Sequence, residues 1–503
     1  MATTYTETLT NGDDTFTDAP SRNTLIIALA GNDVIDGGDG DDVIYGGAGN
    51  DTLFGGEGSD EVYGDQGDDL LYMDENYLDV GVVDTYYGGE GNDRFVGPYY
   101  TDSKSQITAY GGVGDDTYSF VGGMYGTKVI EKAGEGIDTI ILGFRSGEVT
   151  LPDNVENFIA GWDGSAKGTG NSLDNVMIST NERVVLYGLA GNDTLTGGDN
   201  TRLGNELYGG SGNDTLNGAP GEDILDGGTG NDILKGASLK TWKAPSDKDT
   251  LTGGKGNDIF YADTSDTIIE NSREGTDTLF YVPRSDLSTD FYLPENVENM
   301  TMMDPDYAVT GTVYFDGFGN DQRNRIEGNS YDNALFGNGG NDFLIGGDGD
   351  DELDGGTGRD KYDGGAGNDQ FKYDPADFRD IFGENQYVGG AGTDSLVLPI
   401  AFPKLNLTKL PNNMIRGIDV IEAEPLKGGS ASLILTADDV VAISDNGTLR
   451  IEDGFGAGIL SVYSKDQGWT LSGTEIIDDV TYDVYKVGQA TLVVDADLGG
   501  VIS

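Results

Sequence analysis

The chain has 503 residues, 89 of them acidic and 29 basic, for a formal net charge of −60; this surplus repels nucleic acid and acidic membranes, both polyanions, and attracts cations. It has no Cys and no His, which removes disulfide frameworks, thiolate sites, most catalytic triads and most transition-metal sites. No run approaches the ~20 apolar residues needed to span a bilayer, so neither a membrane span nor a nucleic-acid partner is expected.

Residues 1–27 form a short lead-in. Its first 20 residues lack a basic region and an apolar core, so no Sec-type signal peptide is expected. Asn11-Gly12-Asp13-Asp14-Thr15-Phe16 reads as one degenerate copy of the repeat that begins at Ala28. Residues 28–72 are five nine-residue lines. Each has Gly at its fourth place (Gly31, Gly40, Gly49, Gly58, Gly67), Asp at its sixth (Asp33, Asp42, Asp51, Asp60, Asp69) and an aliphatic residue at its eighth (Ile35, Ile44, Leu53, Val62, Leu71). One apolar site in nine is neither a helix face nor simple alternation. It predicts a tight turn and a very short strand, repeated. After excursions at 73–86 and 97–110 the pattern resumes with Asp93 and Phe95, then with Asp116 and Tyr118, completing a first block over 28–128.

A different unit occupies 129–185. It contains Ile130-Glu131, Glu135-Gly136-Ile137-Asp138-Thr139-Ile140 and Leu151-Pro152-Asp153-Asn154-Val155-Glu156-Asn157. The same phrase returns within 262–327, ending Leu293-Pro294-Glu295-Asn296-Val297-Glu298-Asn299, which predicts a tandem duplication of a strand-and-turn connector. Between the two connectors lies a second block, 186–261, with Asp193, Asp214, Asp223, Asp232 and Asp258. It carries a basic, aromatic insertion at 236–248. A third block, 328–398, has Asp342, Asp351, Asp360, Asp369 and the outlying Asp394, with Gly340, Gly349 and Gly358 at fourth places. From 399 to 503 glycine thins out and alternating apolar residues predict a compact β-rich C-terminal domain.

The lines resemble Gly-Gly-x-Gly-x-Asp-x-(aliphatic)-x, the calcium-binding nonapeptide of RTX (repeats-in-toxin) proteins. The resemblance implies an all-β fold: tandem parallel β-rolls, two nonapeptides per coil, with β-strand connector modules and the C-terminal β-rich domain. It implies several calcium ions as cofactor, with the seventeen aspartates of the three blocks and the glycines Gly31, Gly40, Gly49, Gly58, Gly340, Gly349 and Gly358 as metal-site residues. Physical chemistry agrees with the metal. One line buries one aliphatic side chain, about 1.5–3 kcal/mol, whereas ordering each backbone residue costs about 1–2 kcal/mol. Stacked aspartates also repel one another. A hard dication taking 6–8 oxygen ligands answers both problems. The aromatic eighth residues Phe95, Tyr118, Phe260 and Phe371 are expected to plug the ends of runs. The 399–503 region is similar to the non-repeat ends of proteins exported by type I secretion, with an uncleaved C-terminal signal.

No enzyme is expected. His-Glu-x-x-His is impossible without His, and Gly-x-Ser-x-Gly and the phosphate-binding Gly-x-x-x-x-Gly-Lys-Ser/Thr are absent. The expected function is a secreted, extracellular structural component of a bacterial cell surface: a surface-layer, matrix or filament subunit that associates with itself or with surface polysaccharide and leaves the cell by type I secretion machinery. The alternative is a calcium-dependent adhesin or glycan-binding protein using the aromatic excursions.

Overall fold

The structure is a computed structural model that describes residues 5–498 other than 19–21, 74–80, 98–105, 122–123, 125, 145–146, 164–165, 181–182, 200–203, 237–246, 284–289, 306–314, 379–385, 399–404, 412, 424–429, 454–458 and 465–467. The excursions at 73–86, 97–110 and 236–248 therefore lie largely outside the described residues. The chain divides into two compact units: Met1–Tyr261 with Ser265–Ile269, and Ala262–Thr264 with Glu270–Ser503.

Each unit is a parallel β-solenoid, and its coil follows from the nine-residue line. The line offers three or so residues of strand and then glycines that take positive φ, such as Gly47 (104°) and Gly49 (135°). The chain must therefore turn after every short strand. Two lines make one coil, so strands 18 residues apart pair in register: Ile35 with Leu53, Leu53 with Leu71, Ile26 with Ile44, and Ile44 with Val62. Successive lines alternate between two sheets. In the first unit one sheet contains Thr24–Ile27, Val43–Ala48, Glu61–Gln66, Val83–Glu90 and Gln106–Val113. The other contains Val34–Asp36, Thr52–Phe54, Leu70–Tyr72, Arg94–Val96 and Thr117–Phe120.

The eighth-place residues fill the space between the sheets. Ile35, Ile44, Leu53, Val62 and Leu71 are fully buried, as are Leu195, Leu216, Leu225 and Leu234. Phe95 and Tyr118 are also fully buried and stack on each other at 4.7 Å, continuing the Leu53–Leu71 row rather than closing it. On the outer side, the ninth places stack too. Tyr45, Tyr63, Tyr87 and Tyr110 form a column of parallel rings 4.6–4.8 Å apart, each partly exposed.

The first connector continues the ladder. Thr117–Phe120 pairs in parallel with Thr139–Phe144, which pairs with Asn157–Asp163, then Val176–Ser179, then Thr194–Thr196. Its Leu-Pro-x-Asn-Val-Glu-Asn phrase is a turn with specified polar contacts. Asn154 adopts φ 65° and donates its amide to the Glu131 carbonyl at 2.9 Å. Asn296 in the second unit does the same at φ 66°, to the Glu270 carbonyl at 3.0 Å. Val155 and Val297, next in line, are fully buried.

In the second unit the parallel ladder Glu352–Asp354, Gln370–Lys372, Ser395–Leu398, Val420–Ala423 and Thr448–Asp453 ends on Ala490–Asp495. There the pairing turns antiparallel, through Val480–Val487 to Thr470–Ile477. Among the described residues one α-helix occurs, Ala437–Ile443, started by a capping box between Thr436 and Asp439.

Candidate metal centres along the solenoid edges

All seventeen sequence-derived aspartates are at most 3% exposed. The turn preceding each short strand points the side chain inward along a solenoid edge, and 18-residue stacking brings successive aspartates into line. One oxygen of each is used in the same way: the backbone N–H of the equivalent residue one coil back donates to Oδ1. Along one edge Asp33 N–H donates to Asp51 (2.8 Å), Asp51 to Asp69 (2.7 Å), Asp69 to Asp93 (2.8 Å) and Asp93 to Asp116 (2.7 Å). Along the other, Asp42 N–H donates to Asp60 at 2.8 Å. The second unit repeats this: Asp342 to Asp360 at 2.8 Å, Asp351 to Asp369 at 3.0 Å, Asp369 to Asp394 at 2.9 Å.

The second oxygen is different. At sixteen of the seventeen, Oδ2 is buried and has no hydrogen-bond partner. Its neighbours are carbonyl oxygens. A Cβ added to Gly46 would lie 2.5 Å from Asp51 Oδ2 and 2.8 Å from the Gly64 carbonyl oxygen; on Gly227 it would lie 2.5 Å from Asp232 Oδ2 and 2.8 Å from the Gly253 oxygen. Acceptor thus faces acceptor across a gap that only glycine leaves open. Such a gap is stable only with a cation or a proton in it. Carboxylate plus carbonyl oxygens, with no nitrogen or sulfur, is the donor set of a hard dication such as calcium.

Asn205 provides an internal control. Its Oδ1 accepts the Val184 N–H at 3.1 Å, as the aspartates do from the coil behind. Its Nδ2 occupies the place of Oδ2 and donates to the Gly218 carbonyl at 2.8 Å. In the next coil, Asp223 presents an oxygen where Asn205 presents an N–H donor, and that oxygen has no partner. The chain itself shows that the carbonyl at this place requires something positive opposite it.

Burial drives the electrostatics. Desolvation, opposed by the backbone N–H bond and reinforced by neighbouring aspartates, raises Asp42 and Asp51 to about 6, Asp69, Asp193 and Asp342 to about 7, and Asp60, Asp223 and Asp351 to about 8. These edges therefore compete for any positive partner, proton or metal.

The comparison with known families agrees with the geometry. The family model described as the RTX calcium-binding nonapeptide repeat (4 copies) matches residues 21–53, 36–71, 83–97, 169–203, 201–234, 246–269, 318–353 and 336–371. The chain carries RTX calcium-binding nonapeptide repeats. A comparison with curated proteins returns no match.

The RTX edges hold more than the seventeen. Asp84 takes the Asp60 N–H at 3.0 Å, Asp249 the Asp223 N–H at 2.8 Å and Asp377 the Asp360 N–H at 2.8 Å. At Asp84 and Asp249 an excursion replaces the glycine, so only the Asp-x-(apolar) half of the signal survives, in Asp84-Thr85-Tyr86 and Asp249-Thr250-Leu251. Asp138, which takes the Asp116 N–H at 2.9 Å, does follow Gly136 in the full Gly-x-Asp-x-(apolar) pattern, as do Asp14, Asp277 and Asp419. Reading that pattern beyond the glycine-rich blocks would have found these four. The fourth-place glycines named from sequence have another position. Gly49 packs so closely on the coil behind that a Cβ would run into the Gly31 carbonyl, and Gly58 stands likewise over Gly40. The glycines beside Oδ2 are first-place ones such as Gly46 and Gly64, the opening glycine of the motif and not its fourth place.

Proposed function

We propose that the protein is an exported calcium-binding protein whose RTX solenoid closes on calcium outside the cell and serves as a structural component of the cell surface, a surface-layer, matrix or filament subunit. The observation that carries this reading is the row of buried, unbonded Oδ2 atoms facing carbonyls along the edges. A fold that leaves its acceptors opposed is stable only with a positive partner between them, so folding is coupled to the binding of cations, with protons as their competitors. Extracellular modules commonly bind calcium at about 10⁻⁴–10⁻³ M. A chain tuned to that range stays open where calcium is scarce, which suits export through a narrow conduit by type I machinery.

Circular dichroism tests the coupling. The chelated chain at neutral pH gives a coil-like far-ultraviolet spectrum and millimolar calcium converts it to β. A chelated sample that keeps its β spectrum there overturns the reading. Electron microscopy in calcium tests the structural role, for which ordered sheets or fibres are expected. The second reading, a calcium-dependent adhesin or glycan-binding protein, draws on the partly exposed tyrosine column Tyr45–Tyr63–Tyr87–Tyr110. Soluble monomers retained on a glycan array would favour it.

A further inference from the structure

Where the first repeat block gives way to the connector, a carboxylate arrives from outside the nonapeptide lines. Strand Thr127–Ile130 pairs with Gln106–Val113 and delivers Glu131 beside the last line of the block. Asp116, Glu131 and Asp138 are all buried and each offers an oxygen within 4.8 Å of the others. Glu131 is 6% exposed. Its Oε1 accepts the Tyr118 hydroxyl, while its Oε2 and Asp116 Oδ2 are buried with no hydrogen-bond partner. The group shares its centre with Gly111: a Cβ there would collide with Asp116 Oδ2 and Glu131 Oε1 and lie 2.6 Å from the Tyr118 hydroxyl oxygen. The nearest basic residue in sequence, Lys132, is turned to the surface with Glu135 at 3.1 Å.

Three carboxylates taken out of water together are costly unless a positive partner joins them. Along the regular edges an aspartate Oδ2 faces carbonyl oxygens. Here two further carboxylates and a phenol converge, and one of the carboxylates belongs to no Gly-x-Asp line. We propose that Glu131 joins Asp116 and Asp138 around one divalent cation of this edge, calcium by its oxygen donors, and so fastens the connector strand to the end of the first repeat block. The proposal rests on the calcium reading and adds to it a ligand, Glu131, and a role at a boundary. Because calcium affinity rises with the ligand charge in the site, the added Glu131 carboxylate is expected to tighten binding at this position. The Glu-to-Asp spacing recurs in the second connector as Glu270 and Asp277, with Phe260 in place of Tyr118.

The full-length chain, stripped of calcium, is titrated back while bound ions are counted at saturation and amide exchange is followed. Glu131→Gln keeps the bond to Tyr118 but removes the charge. It is expected to bind one ion fewer and to lose exchange protection in Thr127–Ile130 and Thr139–Phe144, with Val43–Ala48 unchanged. Glu131→Asp is expected to recover the ion at weaker affinity. If Glu131→Gln binds as many ions as the parent and keeps its protection, protons fill the cluster and the proposal is overturned, while the calcium reading survives. If the parent itself binds no calcium, both fall. Should Glu131→Gln fail to fold, anomalous diffraction from parent crystals soaked in a lanthanide decides. A peak about 2.3–2.6 Å from the Glu131 carboxylate supports the site. Peaks at Asp51 and its neighbours with none at Glu131 overturn it.

Discussion

A single atom separates Asn205 from Asp223, and that difference sets where charge is needed. Asn205 supplies its own N–H donor to the Gly218 carbonyl; Asp223 supplies a second acceptor instead. Exchanging them should exchange their requirements. Asn205→Asp is expected to create one new calcium site and to destabilise the chelated chain, by about 1–3 kcal/mol for a buried unpaired acceptor. Asp223→Asn is expected to lose one ion and to stabilise the chelated chain. Ion counting with urea titration in chelator reads both. Glycine acts at the same scale: Gly46→Ala would place its methyl 2.5 Å from Asp51 Oδ2 and 2.8 Å from the Gly64 oxygen, where the ion belongs. Loss of that one ion is expected, with neighbouring sites retained. An unchanged ion count would show that the gap at Gly46 is not a binding site.

One half-coil contributes one apolar residue, and neighbouring half-coils turn these into continuous rows. Leu53 lies between Ile35 and Leu71 and is fully buried. Leu53→Ala is therefore expected to cost about 2–5 kcal/mol even in saturating calcium, since metal cannot refill the cavity. Because each coil touches only its neighbours, exchange protection should fall first in Val34–Asp36, Thr52–Phe54 and Leu70–Tyr72. A uniform loss across the solenoid would argue for all-or-none folding instead. The connectors are elements of the same kind. Their Glu156 and Glu298 accept the Asp138 and Asp277 N–H groups at 2.8 Å, so a longer acid continues the aspartate relay along the edge.

Over the whole molecule, net charge and burial together give the protein its pH response. Without calcium, desolvation lifts Asp60, Asp223 and Asp351 from 3.8 to about 8. The folded form then holds protons that the open chain has released. This contribution to stability is complete below the unfolded value of 3.8 and is lost as pH rises through 8. In chelator, acidification from pH 8 towards pH 4 is expected to raise the β signal. In calcium, the same acidification should weaken metal affinity as protons compete for Oδ2. Circular dichroism and calcium titration at several pH values check both signs. A chelated spectrum that does not change with pH would show that protons do not substitute for the metal.

Periodicity made the solenoid legible in the sequence, because a coil that repeats every two nonapeptides prints the same Gly, Asp and apolar places each time. Ile35, Ile44, Leu53, Val62 and Leu71 could be assigned to the interior, and Asp33 to Asp69 to the turns, without coordinates. What the line cannot print is contact between coils. Which aspartate oxygen is taken by an N–H, that first-place Gly46 rather than fourth-place Gly49 borders Oδ2, and that Asp84, Asp249 and Asp377 join the edges after excursions of varied length all depend on stacking. Glu131 shows this most clearly. It lies 15 residues beyond Asp116 in an unrelated phrase, and only the parallel pairing of its strand with Gln106–Val113 brings its carboxylate to Asp116.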